Sequence, residues 1–312
     1  MIHLICPNPA IDRTLLIDGF VKEKPNRPYE LKEFAGGKGF NVAYAIGFES
    51  PDVDFCVHTI AGGRNGELLI ELANANKTKV ELTRIDKNTR VCNIIMDTHL
   101  GDTYPIYENS FDLNPMLLEE FTENLKKKIH KKDVVVFSGS LMKGMPAEYI
   151  ADFIKGFRDE DVNVFVDTSS QALVHAYEAK PYAIKINDEE ILDLFPDLTL
   201  DTIESYVELL KSERTTDIPV FIITLGAKGI IAKMEDQIFH IQAKQVQAKN
   251  PIACGDFFLG GLVKYNCLQS DALTTLKKAI SYSTANVLSW YPELNQKDID
   301  AIYHSLEVQK YK

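Results

Sequence analysis

No stretch of this chain approaches the roughly 20 consecutive apolar residues that a membrane-spanning helix needs, so no membrane partner is expected. Basic residues are the minority: 34 Lys and Arg stand against 45 Asp and Glu, a formal net charge of −11. A nucleic-acid surface needs clustered Lys and Arg, so no nucleic-acid partner is expected either. A diffuse negative balance still permits an anionic small ligand, because a few local basic residues outweigh it. Cysteines are few, odd in number and without metal spacing (Cys6, Cys56, Cys92, Cys254, Cys267). They read as reduced thiols of a cytoplasmic protein. The opening "MIHLICPNPAIDRT" lacks a basic region and meets prolines early, so no signal peptide is expected. Internal repeats, linkers and low-complexity tracts are also missing. What remains is 312 residues of ordinary globular composition, 45% hydrophobic and 25% charged, ample for a buried core.

The order of apolar segments gives the organisation. "MIHLIC" is a short strand, and residues 13–35 read as an exposed hairpin. "GGKGFNVAYAIGF" is a glycine turn opening a helix, "DVDFCVHTIAGG" a strand and "GELLIELANAN" a helix. "VELTRID" and "TRVCNIIMDTHLGDTYPIYE" alternate apolar and polar residues without a helix between them. They are expected in a small exposed sheet with the early hairpin. After residue 111 strands alternate with helices. "DVVVFSG" and "PVFIITLG" lack alternation, as strands do when helices cover both faces. Repeated βα units predict a mostly parallel, doubly wound α/β sheet, with a helical last third and tail. The expectation is one α/β domain over 1–312, with a β-lid from two insertions, roughly 12–35 and 88–110.

In open parallel sheets ligands bind beyond the carboxyl ends of the strands. Small and polar residues gather there: Asp12, Gly36-Gly37-Lys38, Ser138-Gly139-Ser140, Asp167-Thr168, Asn187, Thr224-Leu225-Gly226 and Gly255-Asp256. In "NPIACGDFFLGGLV", Asn250–Val263, polar residues end at Gly255-Asp256 and a helix-like apolar run begins. A small-residue turn opening a helix presents unpaired N–H groups to an anion. Asp256 there is either a helix cap or a general base beside a phosphoryl group.

Taken together, these segments resemble the PfkB family of carbohydrate kinases, in the ribokinase superfamily. "NPAIDRT", "GGKGFNVA", "SGSLMKGMP", "KINDEE", "ITLGAKG" and "NPIACGDFFLGG" match the family's motifs in order across nearly the whole chain. "NR" at Asn26-Arg27, "TRVCNI" and "DTSSQAL" are similar to the branch holding tagatose-6-phosphate kinase and 1-phosphofructokinase. The resemblance implies a ribokinase-like fold and ATP-dependent phosphorylation of a ketohexose monophosphate, either tagatose 6-phosphate or fructose 1- or 6-phosphate. Asp256 would be the base, and the N–H groups of Ala253, Cys254 and Gly255 the anion hole. ATP would lie along Thr224, Gly226 and Gly229 with Lys185 and Asn187 at its phosphates, and Glu190 would organise Mg²⁺ through water. Asp12, Gly36, Gly37 and Asn41 would hold the sugar. Its phosphate would meet Lys38, Arg90 and Arg27, aided by Ser138 or Ser140. A homodimer through the lid is a further implication. The alternatives are a kinase of an unphosphorylated sugar or nucleoside, and a weakly catalytic sugar-phosphate sensor.

Departures from the family pattern carry expectations of their own. Ala253 stands where the family has glycine; at φ > 0 alanine would cost roughly 1 kcal/mol or more. Cys254 beside a helix N-terminus is expected to be reactive. "KIN" replaces KPN, and "TYPIYENS" at 103–110 departs from the branch's lid segment.

Overall fold

The computed structural model describes residues 1–50 and 52–311. In chain order it contains β1 (Ile2–Cys6), β2 (Ala10–Ile17), β3 (Glu30–Gly36), α1 (Lys38–Gly47), β4 (Phe55–Gly62), α2 (Gly63–Ala75), β5 (Lys79–Ile85), β6 (Val91–Asp97), β7 (Asp102–Tyr107) and α3 (Pro115–Lys126). There follow β8 (Val134–Ser138), α4 (Tyr149–Gly156), β9 (Asn163–Asp167), α5 (Ser170–Glu178), β10 (Ala183–Asn187), α6 (Ile191–Leu194), α7 (Ile203–Lys211), α8 (Glu213–Thr216) and β11 (Val220–Thr224). The chain ends with β12 (Ile230–Met234), β13 (Gln237–Gln242), α9 (Cys254–Cys267), α10 (Ala272–Val287), α11 (Gln296–Ser305) and β14 (Glu307–Tyr311).

The large sheet runs β14-β13-β12-β11-β10-β9-β8-β1-β4-β5, parallel from β5 to β11 and antiparallel beyond. This is the expected α/β architecture. The strands are buried without alternation because apolar layers cover both faces. On one face Leu4, Val136 and Ile222 pack with Val42, Phe258 and Leu276 from α1, α9 and α10. On the other, Ile5 and Val135 pack with Phe121 and Ile150 from α3 and α4, and Ile186 and Ile223 pack with Val207 from α7. Phe257 and Phe258 are almost wholly buried, each contributing on the order of 2 kcal/mol. No helix of the described residues is long and apolar enough to cross a membrane.

The small sheet, β3-β2-β6-β7, draws its strands from two stretches of chain. Parallel pairing of β2 with β6 aligns Asp12 with Cys92 and Thr14 with Ile94. β5 does not belong to it. Its pairing is parallel to β4, from Cys56↔Lys79 to Gly62↔Ile85, because α2 supplies the crossover that returns the chain to the large sheet. Its alternation is that of a half-exposed edge strand, which sequence pattern does not distinguish from a strand of the small sheet. The tail is likewise not all helical: β14 pairs antiparallel with β13. The β12–β13 hairpin, unread in the sequence, turns on Glu235 and Asp236, both at positive φ.

Candidate active site

Close packing of three helices positions the central carboxylate. A methyl group on Gly260 would sit 2.5 Å from the Ala45 Cβ, and one on Gly261 would sit 3.0 Å from the Ala279 Cα. Small residues here let α9 nest between α1 and α10. That approach carries Asp256, in the first turn of α9, against Asn41 of α1, whose Nδ2 donates to Asp256 Oδ2 at 2.9 Å. Asp256 is only 5% exposed. Burial, opposed by Lys38 and the Asn41 hydrogen bond, pushes its carboxyl up to about 7. The first turn of α9 closes with Asp256 and Phe257 N–H donating to Ala253 O, both at 2.9 Å. Cys254 and Gly255, ahead of that closure, present the N–H groups a helix N-terminus leaves unpaired.

Two cavities of about 510 Å³ each flank this N-terminus. Into the first face Asp12, Gly37, Lys38, Asn41, Arg90, Ser138, Ser140, Ala253 and Asp256, together with Cys92 and Tyr107 of the small sheet. Gly36 lies under the Asp12 carboxyl, where a Cβ would meet Cγ at 2.2 Å. Burial raises Asp12 to about 6, against a hydrogen bond from the Gly37 N–H. Gly37, at φ 95°, precedes α1 in a conformation L side chains resist. The buried Ser138 Oγ has no protein partner. Arg90 donates to the main-chain carbonyls of Pro9, Glu108 and Asn8 over 3.3–3.5 Å rather than to a carboxylate. It also lines an adjoining recess of about 210 Å³ with Lys87, Asn109 and Ser110.

Thr224, Gly226, Gly229, Cys254, Gly255, Ser283 and Thr284 line the second cavity. Gly226 has φ 56° and open space where a side chain would point, while a Cβ on Gly229 would strike Ile241 O at 2.1 Å. Between the cavities, Lys185 of β10 pairs with Asp167 at the end of β9 at 2.8 Å, with side chains 8% and 2% exposed. Burial opposes the Lys185 charge, but the Asp167 carboxylate beside it holds its pKa above the ordinary value. Its ammonium lies 3.0 Å from where a Gly255 Cβ would stand. The Asn187 Oδ1 caps the N–H groups of Glu189 and Glu190, and the Glu190 carboxylate accepts the Asn187 N–H at 2.9 Å. Burial lifts the Glu190 pKa, partly offset by that bond.

Two expectations change. Arg27 is exposed in the β2–β3 connection and lines neither of these two cavities nor the adjoining recess. The reason is distance: Asp12 pairs with Phe34, whereas Arg27 lies beyond the Leu16↔Glu30 pair, which is itself roughly 13 Å along the strands at strand rise. Cys254 is not an activated thiol, because burial pushes it up to about 11 and Sγ donates to Pro251 O. Ala253 adopts φ 67°, ψ 2°, so the left-handed condition holds. Sequence reading placed Asp167 at a ligand-facing strand end without giving it a role, and missed Cys92, Tyr107, Ser283 and Thr284. Only Asp167, among the polar strand ends, gave a signal.

A family model described as pfkB family carbohydrate kinase matches residues 6–289. A tagatose-6-phosphate kinase of Staphylococcus epidermidis is 28% identical over 311 residues, 99% of each chain. Among solved structures, a possible 1-phosphofructokinase of Thermotoga maritima superposes with TM-score 0.87 at 22% identity, covering all of both chains. Phosphofructokinase-2 of Escherichia coli, in complex with substrates and products, does so with TM-score 0.88 at 20% identity, over 97% of this chain and 98% of that one.

Proposed function

The chain belongs to the pfkB family of carbohydrate kinases, and on that premise we propose that it transfers the γ-phosphoryl group of ATP to a ketohexose monophosphate, giving the bisphosphate. The observation that carries this reading is Asp256, a buried carboxylate at the helix N-terminus that separates two cavities of equal size. The acceptor sugar occupies the cavity under the small sheet and ATP the cavity along Thr224–Gly229. Asp256 takes the proton of the acceptor hydroxyl as the hydroxyl oxygen attacks the γ-phosphorus, and the γ-phosphorus bond to the β,γ-bridging oxygen breaks to release ADP. The N–H groups of Ala253, Cys254 and Gly255 hold the transferring phosphoryl oxygens, and the Lys185 ammonium beneath Gly255 adds charge there. Little covalent chemistry falls to the protein, and positioning supplies most of the rate.

Asp12 and Asn41 accept and donate to sugar hydroxyls, with the Gly36-Gly37 backbone against the ring. Arg90 supports the phosphorylated-acceptor reading: its guanidinium faces the sugar cavity without a carboxylate partner. Lys38 lies at the same cavity. The recess with Lys87, Asn109 and Ser110 extends this polar end. No group of three or more His, Cys, Asp or Glu among the described residues forms a protein metal site. Nucleotide phosphates, water and, through water, Glu190 would hold Mg²⁺, which would supply neutralisation of phosphate charge. The small sheet acts as a lid that excludes water during transfer. Five free cysteines support a cytoplasmic setting, which cell fractionation tests.

The experiment is Arg90→Ala, assayed with fructose 6-phosphate, tagatose 6-phosphate, fructose 1-phosphate and free fructose. Removing a charge-assisted contact of about 2 kcal/mol raises KM for the phosphorylated acceptor roughly 30-fold and spares fructose. An equal change for phosphorylated and free sugar would point to a neutral-sugar or nucleoside kinase instead.

A further inference from the structure

The segment after α10, Ser289–Glu293, belongs to neither cavity lining, yet it touches both the small sheet and the loop that leads into α9. Tyr291 packs in one cluster with Leu16, Ile94 and Met96 of β2 and β6, joined by Phe34, Trp290 and Ile252. The Lys32 ammonium of β3 stands 4.0 Å over the Tyr291 ring and 3.6 Å from Glu293. The segment is held in shape by Tyr291 N–H donating to Ser289 Oγ and Glu293 N–H donating to Tyr291 O. From its other side, Asn250 Nδ2 donates to Trp290 O at 3.0 Å, while Asn250 Oδ1 accepts the Ile252 N–H at 2.9 Å. Asn286 of α10 donates to Ile252 O, also at 2.9 Å. Ile252 immediately precedes Ala253, the residue held at positive φ where α9 begins.

We infer that Trp290 and Tyr291 form a strap that sets the small sheet over the sugar cavity and passes its position, through Asn250 and Ile252, to the N–H groups at the start of α9. Tyr291 is thus a positioning residue for transfer, acting through its ring and not on the reacting atoms. The reaction it serves is that of the proposed function, on which this inference rests; the coupling of sheet to loop is a property of the protein alone. Displacing packed groups that fix an anion hole costs rate rather than nucleotide affinity. On this inference the ring is required and the hydroxyl is not, because the ring makes the contacts to Phe34 and Lys32 and the buried hydroxyl has no hydrogen-bond partner among the described residues.

Hydrogen exchange without ligand is compared for the parent, Tyr291→Ala and Tyr291→Phe, followed by kinetics with Mg-ATP and a ketohexose phosphate. Tyr291→Ala is expected to speed exchange in both the small-sheet strands and residues 250–256 by about ten-fold. It is also expected to lower kcat about ten-fold or more, to leave KM for ATP within about two-fold, and to raise ADP release without sugar phosphorylation. Tyr291→Phe should match the parent in every readout. Unchanged exchange in residues 250–256 of Tyr291→Ala would overturn the inference, whatever the acceptor. Should that variant fail to fold, Lys32→Met, which keeps the apolar cluster, decides: faster exchange at 250–256 supports the strap and parental exchange refutes it. A parent silent with every sugar would sink the proposed function while leaving the exchange result to judge the strap.

Discussion

As the proposed base, the Asp256 carboxyl would trade stability for reactivity. Burial, with Asp167 nearby, raises it to about 7 despite Lys38, Asn41 and Lys185. A base must be ionised, so kcat/KM should rise with pH through about 7. Asp256→Asn should remove that limb and lower kcat by roughly two to four orders of magnitude with ATP binding kept. Near-normal turnover in the variant would rule the base role out. The folded pKa lies above the ordinary carboxylate range, so the fold favours the protonated form. Its contribution to stability is full below about 4 and lost as pH rises through about 7. Asp256→Asn should therefore melt higher than the parent above pH 7, an advantage that shrinks in acid.

Ala253 presents a second residue-scale tension. A left-handed alanine costs roughly 1–2 kcal/mol, yet the turn keeps its α9 hydrogen bonds. Ala253→Gly should raise stability by about 1 kcal/mol with kcat held within about two-fold, read from thermal melts and steady-state rates. A less stable glycine variant would show that φ 67° is not strained here.

At the scale of elements, the small sheet has two different faces. Asp12, Thr14 and Leu16 alternate toward the cavity side. Leu31, Leu15, Ile95 and Tyr104 form a cross-strand apolar row on the other, and Leu31 is 47% exposed. Edge strands β3 and β7 flank that row. An apolar, partly exposed face of this kind supports a homodimer through the lid, since pairing would cover its strand edges. Leu31→Glu should then yield a monomer by light scattering at micromolar concentration while the parent scatters as a dimer. A monomeric parent would contradict the arrangement.

At the scale of the whole molecule, much of this protein was legible in its sequence. Unalternating apolar runs such as "DVVVFSG" identified the buried parallel strands, and glycines and carboxylates at their ends marked where the cavities lie. Elements with weak periodicity were not legible. β5 is an amphipathic edge strand whose sheet is chosen by a crossover helix, and β14 is a short exposed strand whose partner lies about 70 residues earlier. Nor does sequence spacing reveal that Lys185 pairs with Asp167, or that Arg27 is carried away from the cavity under the small sheet by the hairpin that bears it. Such facts come from three-dimensional register, which local pattern does not encode.

The central claim is tested most directly by ADP production with Mg-ATP across fructose 1-phosphate, fructose 6-phosphate, tagatose 6-phosphate, fructose, ribose and a nucleoside. Turnover confined to one or more of the ketohexose phosphates, with a bisphosphate product, is the predicted result. Preference for an unphosphorylated acceptor, or tight sugar-phosphate binding without ADP, would contradict it.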